Sequence, residues 1–185
     1  GQDPAKGMDI WRGASPPYRE LGVDARWEHC LIVVDAQGNI IEEWTQWDKI
    51  FKRPHSAYIS PYDPEKHVWI VDDHSHALYK FTNDGKQLLQ TVGTPNEPGA
   101  DGTHFNRPTF MAWGGDGSFY VADGYNGNRV AKFDKDGKFL LDWGMRGEPG
   151  GNEKRPNYMN NVHGVAVDVE TGRVFVNDRN NHRVQ

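Results

Sequence analysis

Three segments of this chain can be laid over one another, and that repeat constrains the fold more than any other feature of the sequence. They are RPHSAYISPYDPEKHVWIVDDHSHALYKF from Arg53, RPTFMAWGGDGSFYVADGYNGNRVAKF from Arg107 and NVHGVAVDVETGRVFVNDRNNHRVQ from Asn161. His55, Thr109 and His163 stand at the same place in the three, 54 residues apart each time. A unit of this size does not bury its apolar face alone and has to stack on its neighbours.

Each unit opens with an apolar run, turns, and continues into a β-rich run that ends in aspartate: VWIVDD, FYVAD and VFVND. A polar loop and a third run follow (ALYKF, RVAKF, HRVQ). In two units Asp-Gly-Lys then leads to a fourth run, in NDGKQLLQTVG and DKDGKFLLDWG, where Asp-Gly supplies the positive φ that a hairpin turn wants. The N-terminal part keeps the register: MDIWRG matches the second run and CLIVVDAQGNIIEEW the third and fourth, with Gly38 in the place of Gly85 and Gly137.

Four antiparallel strands per unit at this period predict an all-β fold, a β-propeller of four-stranded blades. An open stack of sheet repeats is the alternative. The expected divisions of the single domain are a partial blade over 1–52, blades over 53–105 and 106–160, and a partial blade over 161–185. A closed ring takes roughly four to eight blades, so the chain encodes an incomplete propeller. A bare blade face would expose Leu, Val and Phe side chains at ~1.5–3 kcal/mol each. The expected partners are therefore further C-terminal blades of a longer protein, or self-association through the open edges.

The 185 residues are 36% hydrophobic and 25% charged, within the range of one folded domain. A formal charge of −5 without a basic block leaves no source for phosphate attraction, so no nucleic-acid partner is expected. No apolar run approaches the ~20 residues of a membrane helix, so no membrane partner is expected either. GQDPAKGMDIW is not a signal peptide, and a secreted or periplasmic location would require one removed upstream. Cys30 is the only cysteine, which rules out an internal disulfide.

The loops DGYNGNRV and NDRNNHRV look like those of the NHL repeat. IWRG, FKRPH, HFNRPT, VADGYNGNRV, VHGVAVD and VNDRNNHRVQ, in that order along nearly the whole chain, resemble the catalytic core of the peptidyl-α-hydroxyglycine α-amidating lyases. That family is a six-bladed propeller that cleaves a peptidyl-α-hydroxyglycine to a peptide amide and glyoxylate, with zinc at the mouth of its channel. The resemblance implies a zinc-dependent lyase acting on a peptide or small-molecule substrate, of which this chain carries about half to two-thirds of the ring.

Carried onto this sequence, the resemblance implies His55 and His163 as zinc ligands, the third histidine belonging to a later blade. It implies Tyr125 as the catalytic tyrosine and Arg12 and Arg179 as arginines lining the substrate cleft. It also implies a structural calcium bound by the carbonyl of Ala57. Imidazole nitrogens suit zinc, and a catalytic site takes three protein ligands with one position open. With two of the three, the chain alone is expected to be inactive. The animal enzymes staple the tyrosine and arginine loops with disulfides; Asn126 and Phe175 stand at those places here.

Other readings of the same residues compete. Two histidines at strand starts also serve as ordinary hydrogen-bonded residues, a tyrosine in a glycine-rich loop as a packed ring, and an Asp-Arg pair as a tie between strands. The competing function is a non-catalytic NHL propeller that binds a protein or peptide; a lactonase-like hydrolase is weaker, because no convergent carboxylate set can be placed. His67, His74 and His76, near Asp72 and Asp73, point to one metal only in an extended segment. The long connections NEPGADGTHF and MRGEPGGNEKRPNYMNN read either as rims of a binding surface or as solvated linkers.

Overall fold

The computed structural model describes residues 28–148, 150 and 153–185. Two compact units divide the chain after Lys49. The first contributes an antiparallel hairpin of β1 (Ile32–Val34) and β2 (Ile40–Glu43), turned by Asp35 and by Gly38 at φ 86°.

The second unit holds the repeats. β3 (Pro54–Ile59), β4 (Val68–Asp72), β5 (Ala77–Phe81) and β6 (Leu88–Val92) form one four-stranded antiparallel sheet in sequence order. β7 (Pro108–Trp113), β8 (Phe119–Asp123), β9 (Arg129–Phe133) and β10 (Phe139–Trp143) form the next. A short parallel pair, β11 (Met145–Arg146) with β12 (Tyr158–Met159), lies in the long connection. The last sheet has three strands: β13 (Val162–Asp168), β14 (Arg173–Asp178) and β15 (Arg183–Val184). The fold is all-β and propeller-like, with two four-stranded blades as the repeat predicts, and among the described residues no closed ring forms.

The apolar pattern explains the stacking. β8 is buried along its whole length because its two faces serve different neighbours. Phe119 and Val121 join Trp69, Val71, Leu78, Phe105 and Phe133 in a core toward the preceding sheet, whereas Tyr120 and Ala122 join Val130, Met159, Val162 and Val176 toward the following one. Alternate residues of a strand point to opposite faces, so one five-residue run closes two cores.

Each blade is entered through the aspartate that ends its second strand. Asp72, Asp123 and Asp178 have no exposed surface. Asp72 accepts hydrogen bonds from the backbone N–H groups of Lys52 and Arg53 (2.7 and 2.9 Å), Asp123 from that of Asn106 (2.7 Å) and Asp178 from that of Asn160 (2.7 Å). These carboxylates pin the chain just before the innermost strand begins.

Arg129 and Arg183 complete the device in the two later blades. The Nε of each donates to the aspartate at 2.9 Å, and the Nη2 of each donates to two carbonyls of the preceding connection. The first blade has Ala77 opposite Asp72 instead, and burial there pushes the carboxyl up. In this pair of blades the Asp-Arg couple is a tie between strands.

Candidate active site

His55, Thr109 and His163 share more than a register. Each is the residue at which the pairing of the innermost strand with the second strand slips: Pro54 faces Asp72 and Ser56 faces Val71, Pro108 faces Asp123 and Phe110 faces Ala122, Val162 faces Asp178 and Gly164 faces Asn177. The residue between is left without a partner, the geometry of a β-bulge, which bends a strand and re-aims its side chain. Three equivalent bulges carry the site.

The two histidines meet at Tyr125. His55 Nε2 lies 3.0 Å and His163 Nε2 3.1 Å from the Tyr125 hydroxyl oxygen. The other nitrogen of His55, Nδ1, sits 3.0 Å from the Thr109 carbonyl. A carbonyl only accepts, so Nδ1 carries the hydrogen and, in the neutral ring, Nε2 presents a lone pair to the tyrosine. The tyrosine hydroxyl donates once, so His163 Nε2–H donates to its oxygen when the hydroxyl proton goes to His55.

Phe110 closes the back of this cluster, its ring centroid 5.0 Å from that of His55 and 5.1 Å from that of His163. Burial accordingly holds both imidazoles below their ordinary pKa, with the Arg53 and Arg107 charges adding to the effect on His55. At His163 the charges of His55 and Arg179 add to it. Both rings are therefore neutral at neutral pH, the form that binds a metal.

The Tyr125 loop is held without a disulfide. The backbone N–H groups of Gly124 and Tyr125 donate to the Arg107 carbonyl, and those of Asn126 and Gly127 to the Asn106 carbonyl. Gly124 packs so closely on the next blade that a Cβ there would lie 1.3 Å from the Val162 carbonyl oxygen. Only glycine fits, and that contact sets the tyrosine beside His163.

Thr109, where the register would place a third histidine, binds the two outer blades together. Its carbonyl also accepts from the Ser56 hydroxyl at 2.7 Å, and its own hydroxyl donates to the His163 carbonyl at 2.8 Å. Arg179 is exposed in the turn after Asp178, and its charge acts on His163. Ala57 is exposed on β3 opposite Ile70, while Arg12 lies outside the described residues. Among the described residues no three or more His, Cys, Asp or Glu side chains gather as a metal site, so His74 and His76 build none with Asp72 and Asp73.

Two residues that sequence reasoning passed over stand against the tyrosine, Arg53 and Arg107, and Asp73 joins them. The guanidinium carbons of Arg53 and Arg107 lie 5.5 and 4.8 Å from the Tyr125 ring centroid. The dipeptide Arg-Pro ahead of both His55 and Thr109 was the available signal.

The model of the NHL repeat matches residues 159–185, the segment of the last three-stranded blade. That segment carries an NHL repeat. The chain is similar to amidating enzymes: it is 30% identical over 169 residues to peptidyl-glycine alpha-amidating monooxygenase B of Xenopus laevis, covering 91% of this chain and 19% of that protein. It is 33% identical over 160 residues to peptidyl-alpha-hydroxyglycine alpha-amidating lyase 1 of Drosophila melanogaster, covering 84% of this chain and 28% of that one. The chain thus spans less than a third of these relatives. Among solved structures, an auxiliary nutrient binding protein of Bacteroides ovatus ATCC 8483 superposes with a TM-score of 0.61 at 18% identity, over 85% of this chain and 42% of that one. That likeness concerns the fold.

Proposed function

We propose that this chain supplies part of the active site of a zinc-dependent lyase that cleaves a peptidyl-α-hydroxyglycine-type N–C bond. One observation carries the reading: two neutral imidazoles from different blades aim their Nε2 atoms at the hydroxyl of one tyrosine. The similarity to an amidating lyase at 33% identity supports the reaction class.

The donor set fits zinc. His55 Nε2 already presents a lone pair to this point, His163 Nε2 would do so with its hydrogen moved to Nδ1, and the Thr109 carbonyl behind His55 is the outer partner that a metal-bound imidazole requires. The third protein ligand of such a site is not among the described residues. When bound, zinc supplies a Lewis acid that polarises an oxygen of the substrate.

The chain's own residues do the rest. With its own hydroxyl proton given up to solvent, the Tyr125 oxygen, held between two imidazoles, takes the proton of the substrate's α-hydroxyl. As the C–O bond becomes a carbonyl and the N–C bond breaks, the proton passes to the departing amide nitrogen, leaving a peptide amide and glyoxylate. Arg179, exposed beside His163, steadies negative charge on that side. The Phe110 ring keeps water from the back of the imidazoles.

The test is glyoxylate release from α-hydroxyhippurate by the zinc-loaded, full-length protein, with zinc content measured alongside. Release that falls at least ~100-fold in Tyr125→Phe is expected. A zinc-loaded protein that releases none while binding peptide would establish the alternative, a non-catalytic recognition propeller.

A further inference from the structure

Tyr125 has a second set of neighbours besides the histidines. Asp73, with no exposed side-chain surface, accepts from two guanidiniums at once. Arg53 approaches it as a fork, Nε to Oδ1 at 2.6 Å and Nη2 to Oδ2, while Arg107 brings Nε and Nη2 to Oδ2 at 3.0 and 2.9 Å. Burial works to raise the Asp73 carboxyl, and the two arginines more than offset it, so it stays ionised. Two positive charges then face one negative charge, and the cluster carries a net charge of about +1.

The surplus is directed. Each guanidinium uses Nε and Nη2 on Asp73, and among the described residues neither Nη1 has a partner. The arginine side chains keep 23% and 24% of their surface exposed, so the unused edges reach solvent. They do so beside the Tyr125 ring, on which both guanidiniums stack. The imidazoles around the cluster, His55, His74 and His76, are all held below their ordinary pKa, first by burial, and stand neutral. His76 Nδ1 instead accepts the Arg107 backbone N–H at 3.1 Å and fixes that residue.

We propose that Arg53 and Arg107, bridged by Asp73, form a carboxylate receptor beside Tyr125 that fixes the acidic end of the substrate. The proposal rests on the lyase reading for the identity of that substrate. The receptor needs only an accessible carboxylate near the tyrosine; two guanidinium donors, one from each arginine, match its two oxygens. It gives the chain a specificity element of its own, apart from Arg12 and Arg179. Arg53 and Arg107 are positioning residues here: they orient the acid while Tyr125 moves the proton.

The experiment is calorimetric binding of α-hydroxyhippurate, its methyl ester and inorganic phosphate to the protein, wild type and in Arg53→Lys and Arg107→Lys. Lysine keeps a cation on Asp73 but loses the fork, and thermal melting by circular dichroism checks that each variant folds. The acid is expected to bind at least ~10-fold more tightly than the ester, and each lysine variant to erase most of that preference. Equal binding of acid and ester, wild-type preference in folded variants, phosphate binding as tight as the acid, or no binding at all would each overturn the receptor. Its failure is separable from that of the lyase reading: arginine-dependent binding of the acid without glyoxylate release by the full-length protein would sink the lyase and leave the receptor standing.

Discussion

Thr109→Val is the perturbation that separates the two halves of the site. The side chain is fully buried, and its single O–H proton has three carbonyls in range: His163 at 2.8 Å, Ala122 at 3.1 Å and Val162 at 3.3 Å. The shortest takes it, so valine removes the bond to the His163 carbonyl at nearly constant volume. Losing one such bond and leaving a buried acceptor without its donor costs about 1–3 kcal/mol. For a domain of this size that lowers the melting temperature by ~2–12 °C. The backbone carbonyl of Thr109 survives the substitution, so His55 keeps its anchor. The expected signature is asymmetric: in imidazole NMR spectra the His163 resonances move while those of His55 hold, and the melt falls within that range. Equal shifts at both rings, or an unchanged melt with His163 unmoved, would refute the reasoning that Thr109 joins the blades through its hydroxyl.

Three further perturbations probe the frame. Gly124→Ala puts a methyl group against the Val162 carbonyl where only 1.3 Å is free, so the Tyr125 loop has to lift; the variant should melt lower and lose the Tyr125 contact with His163, read from the same resonances. Arg129→Ala strips the buried Asp123, whose carboxyl burial already pushes up to about 6 against the pull of Arg129; a loss of ~3–5 kcal/mol in denaturant unfolding is expected. His74 is held at about 4, first by burial and then by the charge of Arg53, against an ordinary 6.5. A depressed folded pKa means the unfolded chain binds the extra proton, so this contribution to stability is present above about pH 6.5 and is lost as the pH falls toward 4. His74→Gln should therefore flatten the decline in melting temperature over that window; a variant that declines as steeply as wild type would refute the assignment.

The repeat made the blades legible because hydrophobic alternation and Asp-Gly turns are local signals, and β8 shows the limit of that kind of reading. FYVAD announces a buried strand, but only the stack explains why all five residues are covered. His55, His163 and Tyr125 were legible through the register and the resemblance, and the structure brings the three together. Thr109 was not: as a letter it is a departure from histidine, and its role lies in hydrogen bonds to residues 54 positions away in both directions. Arg53, Asp73 and Arg107 were hidden for the same reason, since a carboxylate from one blade and an arginine from the next meet only after stacking. The Asp123–Arg129 and Asp178–Arg183 couples are ties between strands.

The way the site is shared among blades determines what can tune it. His55 belongs to one blade, Tyr125 to the next and His163 to the third, so their distances depend on blade-to-blade rotation and not on any single loop. Two cores fix that rotation, one through Phe119 and Val121, the other through Tyr120 and Ala122, on opposite faces of one strand. Close-packed cores resist even small changes of volume. A volume change on one face of β8 should therefore move Tyr125 relative to one histidine and leave its distance to the other nearly intact. Substitutions at Val121 should act on the His55 side and those at Ala122 on the His163 side, which makes the two Tyr125–histidine distances separately adjustable from residues outside the cluster.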